Sequence, residues 1–318
     1  MGAEPSVAVL VAAYNAQATI ARAVRSALAQ PEVAEVCVID DASSDDTVAA
    51  AQACDDGAGR LTVLRQAKNA GPSAARNAGL AATQAPWVCV LDADDFLLPG
   101  RMAGLLSHSG TADLIADDLL QAKEGAEDQM RPMWDARPFA PQPIDFEAFI
   151  LANITREGVH RRELGFLKPL MRRALLDAHA IGYREEMRLG EDYELYARAL
   201  AHGARLLLVP AQGYVSVVRE GSLSGRHSEA DLLALRDCDQ GLARIRRLTP
   251  GERWALAAHY VSVDRKLQWR LLILAVKGRD PLAAARTFLR SPQVSAYLTA
   301  RLLEQAWRRG TGRGPHGA

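Results

Sequence analysis

The chain has 318 residues, 49% of them apolar and 24% charged, with 38 Lys+Arg balanced by 38 Asp+Glu. That length suits about two domains, the apolar content excludes a disordered chain, and the zero net charge excludes a globally basic nucleic-acid binder. The balance conceals an asymmetry, because residues 241–318 carry 15 basic and 4 acidic side chains, a net of +11, which leaves −11 on the first 240.

Val7–Ala13 is an unbroken apolar run, the pattern of a strand buried on both faces of a parallel sheet. Ile20, Val24, Ala27 and Leu28 then share one helical face, and Gln30-Pro31 ends it. Val36–Ile39 predicts a second strand running into Asp40-Asp41, and Ser44 is the expected N-cap of a helix over Thr47–Ala53. Leu61–Leu64 reads as a third strand. Gly71-Pro72-Ser73 opens a helix over Ala74–Ala82, and Trp87–Leu91 is a fourth strand that ends in Asp92-Ala93-Asp94-Asp95. Strands alternating with helices at this spacing predict an α/β sheet with crossover connections.

Residues 123–145, with Pro132, Pro138, Pro141 and Pro143, predict a long surface loop acting as a lid. Helical patterns return at 145–152 and 170–180, and again from Glu191 to Ala201 with Gly203 as its stop; Arg205–Val209 and Tyr214–Val218 are further strands. From 229 onward the chain reads as helices. Thr249-Pro250-Gly251-Glu252, Asp280-Pro281 and Ser291-Pro292 each pair a cap with proline at the first helical position, Gly278 and Gly310 are stops, and Gly310–Ala318 is expected to be a disordered tail.

Cys37, Cys54, Cys89 and Cys238 form no CxxC pair, so neither a zinc ribbon nor a disulfide framework is indicated, and a reducing cytoplasm fits. The N-terminus has no basic region followed by an apolar core, hence no signal peptide is expected, and no stretch of 18 uncharged apolar residues predicts a spanning helix. Met1-Gly2 with Ser6 formally matches a myristoylation pattern, but Val7 already opens a buried strand.

The turn after the first strand, Ala13-Tyr14-Asn15-Ala16-Gln17, lacks G-x-G-x-x-G; the chain also lacks the P-loop and the G-x-S-x-G elbow. In open α/β sheets ligands bind beyond the carboxyl ends of strands. Three such ends are polar: Tyr14-Asn15, Asp40-Asp41, and Asp92 with Asp94 and Asp95. On an extended backbone Asp92 and Asp94 would face one side, where their repulsion favours a bound cation; oxygen ligands suit Mg²⁺ or Mn²⁺. Acids after a strand also cap helices, so D-x-D alone is a weak signal.

The stretches VAVLVAAYNAQATIARAVRSALAQ, VCVIDDASSDDT, NAGPSAARNAGL, WVCVLDADDFLLPGRM and LGEDYELYARAL occur in the order found in family 2 glycosyltransferases, nucleotide-sugar enzymes of the GT-A fold. The chain resembles that family over residues 7 to about 218 and, within it, bacterial exopolysaccharide glucosyltransferases of the succinoglycan-assembly type. The resemblance implies a mixed α/β sheet flanked by helices over 1–228, with a nucleotide-sugar half (1–118), an acceptor half (119–228) and a helical C-terminal region (229–318). It implies that Ala13 and Tyr14 line the base, that Asp41 accepts a hydrogen bond from uracil, and that Lys68, Asn69 and Arg76 lie near the diphosphate. Asp92 would hold the ribose or the metal, Asp94 the metal, and Asp95 would support the loop. Asp41 also reads as a turn acid and Arg76 as a solvated helix residue.

Glu191-Asp192 matches the family's acceptor-side acids, with Asp192 the expected base in an inverting transfer and Glu191 orienting the acceptor. The implied reaction moves one sugar from a UDP-sugar, UDP-glucose being favoured, onto a lipid-linked glycan. Q-x-x-R-W is absent, which favours one transfer per binding event. Arg226 or His227, in the segment Arg219–His227, would reach the pyrophosphate or belong to a plain surface loop. The Trp254–Lys277 helix mixes Leu267, Trp269, Leu271 and Leu272 with Arg265, Lys266 and Arg270, which suits contact with an anionic membrane surface or packing on the acidic body. The expected location is cytoplasmic, peripheral on the inner face of the plasma membrane, with no nucleic-acid partner. The competing readings are a nucleotidyltransferase, which would need a Gly-rich basic loop after the first strand, and a non-catalytic nucleotide-sugar-binding protein.

Overall fold

A computed structural model of the chain describes residues 6–134, 139–154, 163–219 and 228–310. The first half alternates strand and helix: β1 (Val7–Ala13), α1 (Ile20–Leu28), β2 (Val33–Asp40), α2 (Thr47–Gln52), β3 (Leu61–Arg65), α3 (Pro72–Ala82) and β4 (Trp87–Val90). β1, β2, β3 and β4 pair in parallel, with Ala13 beside Asp40 and Leu10 beside Val90. All seven residues of β1 except Ala12 are buried, because α1 and α3 cover the sheet with small apolar faces such as Ala23, Val24, Ala27 and Ala75. Gly79 of α3 permits that approach: a Cβ there would meet Ile39 Cδ1 at 2.7 Å.

The second half adds β5 (Phe96–Leu97), α4 (Arg101–Leu106), β6 (Leu114–Asp117), β7 (Leu120–Lys123), β8 (Ala126–Pro132), β9 (Gln142–Ile144), α5 (Phe146–Ala152), β10 (Leu170–Arg172), α6 (Arg173–Ala178), α7 (Glu191–Ala201), β11 (Leu206–Val209) and β12 (Tyr214–Val218). The main sheet runs β3-β2-β1-β4-β10-β6-β11-β9, with β10 antiparallel to both neighbours and β9 antiparallel to β11; β5-β12-β7-β8 form a smaller sheet. The result is the mixed sheet flanked by helices that the sequence implies.

Three local expectations are corrected. The proline-rich stretch 123–145 is not a plain loop, since β7 and β8 form a hairpin and β9 joins the main sheet. Its prolines obey strand rules all the same: Pro132 ends edge strand β8 and Pro143 lies on edge strand β9, where a missing N–H is tolerated. Residues 135–138 lie outside the described residues. Ser44 does not cap α2; it bonds the Asn15 side chain, while Asp45 Oδ1 accepts from the Thr47 N–H at 3.1 Å. Residues 170–180 begin as strand β10, and only Arg173–Ala178 is helical.

From Glu229 the chain is helical: α8 (Glu229–Leu242), α9 (Pro250–Lys277), α10 (Pro281–Phe288) and α11 (Pro292–Gly310). Thr249 and Glu252 form the expected capping box, and Asp280 accepts from two backbone N–H groups at the start of α10. Cys238, Leu242, Ala255 and Leu256 pack into the same core as β1, so α8 and α9 are fastened to the body. Among the described residues no helix is long and apolar enough to cross a membrane. The expected tail beyond Gly310 lies outside them.

Candidate active site

The carboxyl ends of β1, β2 and β4 open on one edge of the sheet. Ala13 and Asp40 are register partners there, and the Asp41 N–H donates to the Ala13 carbonyl at 2.8 Å. The two turns are locked together: the Asn15 N–H donates to Ser43 Oγ at 2.9 Å, and Asn15 and Ala42 both take left-handed backbone, φ 50° and 61°. Left-handed backbone at an alanine is uncommon and costs about 1–2 kcal/mol, strain often found beside functional clefts.

Beyond this edge lies a cleft of about 680 Å³. Ala13, Tyr14, Asp41, Asn69, Arg76, Asp92, Glu191 and Asp192 all line it, so the structure brings together most of the residues singled out from the sequence. Lys68 is exposed and Asp94 half-buried, and neither is among the lining residues. Arg226 and His227 lie outside the described residues. Tyr14 is 54% exposed, a free aromatic face at the mouth. Asp41 is buried, and its two oxygens accept from the backbone N–H groups of Ala70 and Gly71 at 2.8 Å each, so it anchors the loop that begins α3.

The far wall is the N-terminus of α7, reached through Gly190 at φ 72°. Glu191 and Asp192 occupy its first turn, where the helix dipole favours negative charge. Arg76, projecting from α3 and 5% exposed, connects this wall to the strand ends: it donates to Glu191 Oε1 at 2.9 Å, to Asp192 Oδ1 at 3.5 Å and to Asp92 Oδ1 at 3.0 Å. It is therefore an interior cation, not a solvated helix residue. Burial opposes its charge, but Asp192, Asp92 and Glu191 hold it firmly protonated.

Lys168 is the residue that the sequence did not reveal. It is 7% exposed, and its Nζ lies 2.7 Å from Asp192 Oδ2 and 3.1 Å from Asp92 Oδ2. Burial alone would lower its pKa; Asp192 and Asp92 reverse that and raise it. Burial would likewise raise Asp92, yet Lys168 and Arg76 bring its carboxyl down to about 2. Phe166-Leu167-Lys168-Pro169 carries no motif, and only the fold shows that a lysine before β10 faces two acids.

Asp92–Asp95 closes as a turn, with the Asp95 N–H donating to the Asp92 carbonyl at 3.0 Å. The alternation that would place Asp92 and Asp94 on one face therefore does not apply. Asp95 is buried and accepts from Tyr214 Oη at 2.9 Å and the Val217 N–H at 2.8 Å, tying the turn to β12. Burial, then the Asp92 charge, raise the Asp94 pKa, against the opposing pull of Arg219, its own backbone N–H and Lys168. Among the described residues no three acids, histidines or cysteines are grouped to hold a metal. Among the described residues, four carboxylates (Asp92, Asp94, Glu191, Asp192) thus stand against Arg76 and Lys168, with Arg219 acting on Asp94. That donor set fits Mg²⁺ or Mn²⁺ held by one or two carboxylates, its other positions filled by water or phosphate oxygens.

A family model described as Glycosyl transferase family 2 matches residues 8–165. The succinoglycan biosynthesis protein ExoU of Rhizobium meliloti (strain 1021) is 50% identical over 272 residues, 84% of this chain and 78% of its own. Among solved structures the chain is similar to S. aureus TarS 1–349 in complex with UDP-GlcNAc, with a TM-score of 0.61 and 17% identity over 96% of this chain and 92% of that one. It is also similar to the mannosyltransferase PcManGT from Pyrobaculum calidifontis in complex with GDP-Man and Mn²⁺, with a TM-score of 0.59 and 18% identity over 96% of this chain and 88% of that one. At these identities the structural likeness is one of fold.

Proposed function

The chain belongs to glycosyl transferase family 2 and is a glycosyltransferase of the GT-A fold, and from that premise we propose that it moves one glucose from UDP-glucose, with inversion, onto a lipid-linked oligosaccharide during succinoglycan-type polysaccharide assembly. Membership of the family sets aside the nucleotidyltransferase and non-catalytic readings. The observation that carries the proposal is the convergence of Asp92, Arg76, Lys168 and Asp192 in one cleft. The likeness to ExoU supports the pathway, and the uridine nucleotide in TarS, a property of that protein, agrees with the donor.

In this reading the base stacks on Tyr14 above Ala13, and Asp41, while holding the Ala70–Gly71 backbone, keeps lone pairs for the uracil N3–H. Asn69, which lines the cleft, flanks the diphosphate. An acceptor hydroxyl attacks the anomeric carbon, its proton passes to an Asp192 oxygen, and the bond from that carbon to the nucleotide oxygen breaks, UDP leaving with the electron pair. Glu191, held by Arg76, orients the acceptor. Asp92 and Asp94 would hold Mg²⁺ or Mn²⁺, which would neutralise charge on the departing diphosphate when bound. Arg76 and Lys168 supply fixed positive charge on the same side.

The C-terminal helices expose Trp254, Leu282, Leu289, Leu303 and Trp307 among basic residues, a surface suited to the inner face of an anionic membrane where a lipid-linked acceptor would lie. The test is UDP release from UDP-glucose by the full chain with lipid extract from a polysaccharide-producing strain. Asp192→Asn should abolish release yet keep stabilisation by UDP with Mn²⁺. Normal transfer by Asp192→Asn would overturn the assignment of the base, and failure of UDP to bind the wild type would overturn the donor.

A further inference from the structure

A second, smaller cavity of about 150 Å³ lies between the body and the helices α8 and α9. It adjoins the cleft: Gly165, Phe166, Leu189 and Gly190 line both. The partition is thin because both glycines are required. A Cβ on Gly165 would meet Asn153 Oδ1 at 2.8 Å, and one on Gly190 would meet Leu235 Cδ1 at 2.5 Å. The partition also carries the head of α7, so the cavity lies next to the carboxylate proposed to take the acceptor's proton.

One lining residue is built to read a ligand. His259 of α9 is 3% exposed. Its Nδ1 lies 2.8 Å from Asp239 Oδ2, Tyr193 Oη donates to Asp239 Oδ1 at 2.8 Å, and the Tyr193 and His259 rings stack with centroids 4.4 Å apart. An ionised carboxylate only accepts, so Nδ1–H donates to Asp239 Oδ2, and Nε2 is the ring nitrogen left for a ligand. No described residue bonds to Nε2.

We propose that this cavity is an acceptor subsite that takes one neutral pyranose ring of the glycan, with His259 Nε2 hydrogen-bonded to a sugar hydroxyl. The inference rests on the glycosyltransferase reading above and names where its acceptor is held. Phe166, Leu235 and Val263 offer an apolar face for the C–H side of the ring, while Ser262 offers a hydroxyl for its edge. A cavity of this volume admits a single six-membered ring. The C-terminal helices thereby contribute directly to acceptor choice.

The test uses the full chain labelled with ¹⁵N-histidine and titrated with methyl β-D-glucopyranoside, the His259 signals being assigned from His259→Gln. A saturable shift of His259 Nε2 is expected. Ser262→Leu, and independently Ser262→Trp, fill the cavity from a half-buried position and should weaken that binding at least tenfold, with UDP affinity in the presence of Mn²⁺ changed less than twofold. Absence of a His259 shift, or binding indifferent to both substitutions, overturns the subsite while UDP binding leaves the transferase reading intact. Glycoside binding at His259 with no UDP binding would instead sustain the subsite and sink the donor assignment.

Discussion

Lys168 Nζ stands 2.7 Å from Asp192 Oδ2 and 3.1 Å from Asp92 Oδ2, so one ammonium joins the acid at the head of α7 to the acid that follows β4. Lys168→Met would leave both carboxylates with Arg76 as their one ion-paired cation among the described residues. Removing one partner of a buried charge pair costs far more than the pair's net contribution. We expect kcat to fall on the order of 10²-fold with Lys168→Met, the size of effect seen when one preorganised electrostatic group is lost. Lys168→Arg should recover part of it by restoring charge without the compact geometry. Steady-state kinetics with UDP-glucose check this, and a Lys168→Met enzyme with wild-type kcat would show that the bridge is only structural.

Lys168 is itself positioned from beneath. Arg101 and Asp117 are both fully buried and paired at 2.7 Å, and Arg101 Nη2 also donates to the Lys168 carbonyl at 2.6 Å. Arg101 Nη1 reaches Cys89 Sγ at 3.2 Å. Arg101→Met should destabilise the fold by about 3–5 kcal/mol, the cost of an uncompensated buried charge at Asp117. Arg101→Met with Asp117→Leu together should cost less than either change alone. Urea denaturation of the three variants measures this double-mutant cycle.

Gly190 places the first turn of α7. At φ 72° an alanine would be strained by about 1–2 kcal/mol, and its Cβ would press on Leu235 of α8. Gly190→Ala is therefore expected to lower thermal stability and to reduce kcat more than UDP affinity, because it displaces Glu191 and Asp192 and leaves β1, β2 and the Tyr14 turn in place. Equal losses in both would mean that the whole cleft, and not just its α7 wall, depends on Gly190.

The fold was largely legible because its first half repeats one physical pattern. β1, β2 and β4 are buried on both faces and so appear as plain apolar runs ending in polar residues at the cleft. α7 was legible for a similar reason, with two acids at its start and Gly203 at its end. Legibility failed where long-range contacts decide. Pro132 and Pro143 look like loop residues until they are seen on edge strands, where no partner needs their N–H. Ser44 looks like a cap, but Asn15, 29 positions away, claims it. Asp92 and Asp94 look like a matched pair on an extended backbone, but the turn closed by the Asp95 N–H separates their surroundings. Lys168 and the Tyr193–Asp239–His259 cluster have no local signature, because their partners come from other parts of the chain.

That separation gives Asp94 its own test. Arg76 and Lys168 are ion-paired to Asp92 and hold its pKa down, whereas at Asp94 burial and the Asp92 charge outweigh Arg219 and the backbone and raise the pKa. A divalent ion would favour the ionised form, and metal binding would then release a proton wherever Asp94 is still protonated. Protons and metal compete for the same oxygens, so affinity for Mn²⁺ in the presence of UDP should rise with pH across the range in which Asp94 titrates and level off above it. Asp94→Asn should bind Mn²⁺ more weakly and lose that slope, while UDP alone binds as before. Calorimetry in buffers of different ionisation enthalpy reads both the affinity and the proton count. An unchanged slope in Asp94→Asn would remove Asp94 from the metal site and leave Asp92 to hold the ion.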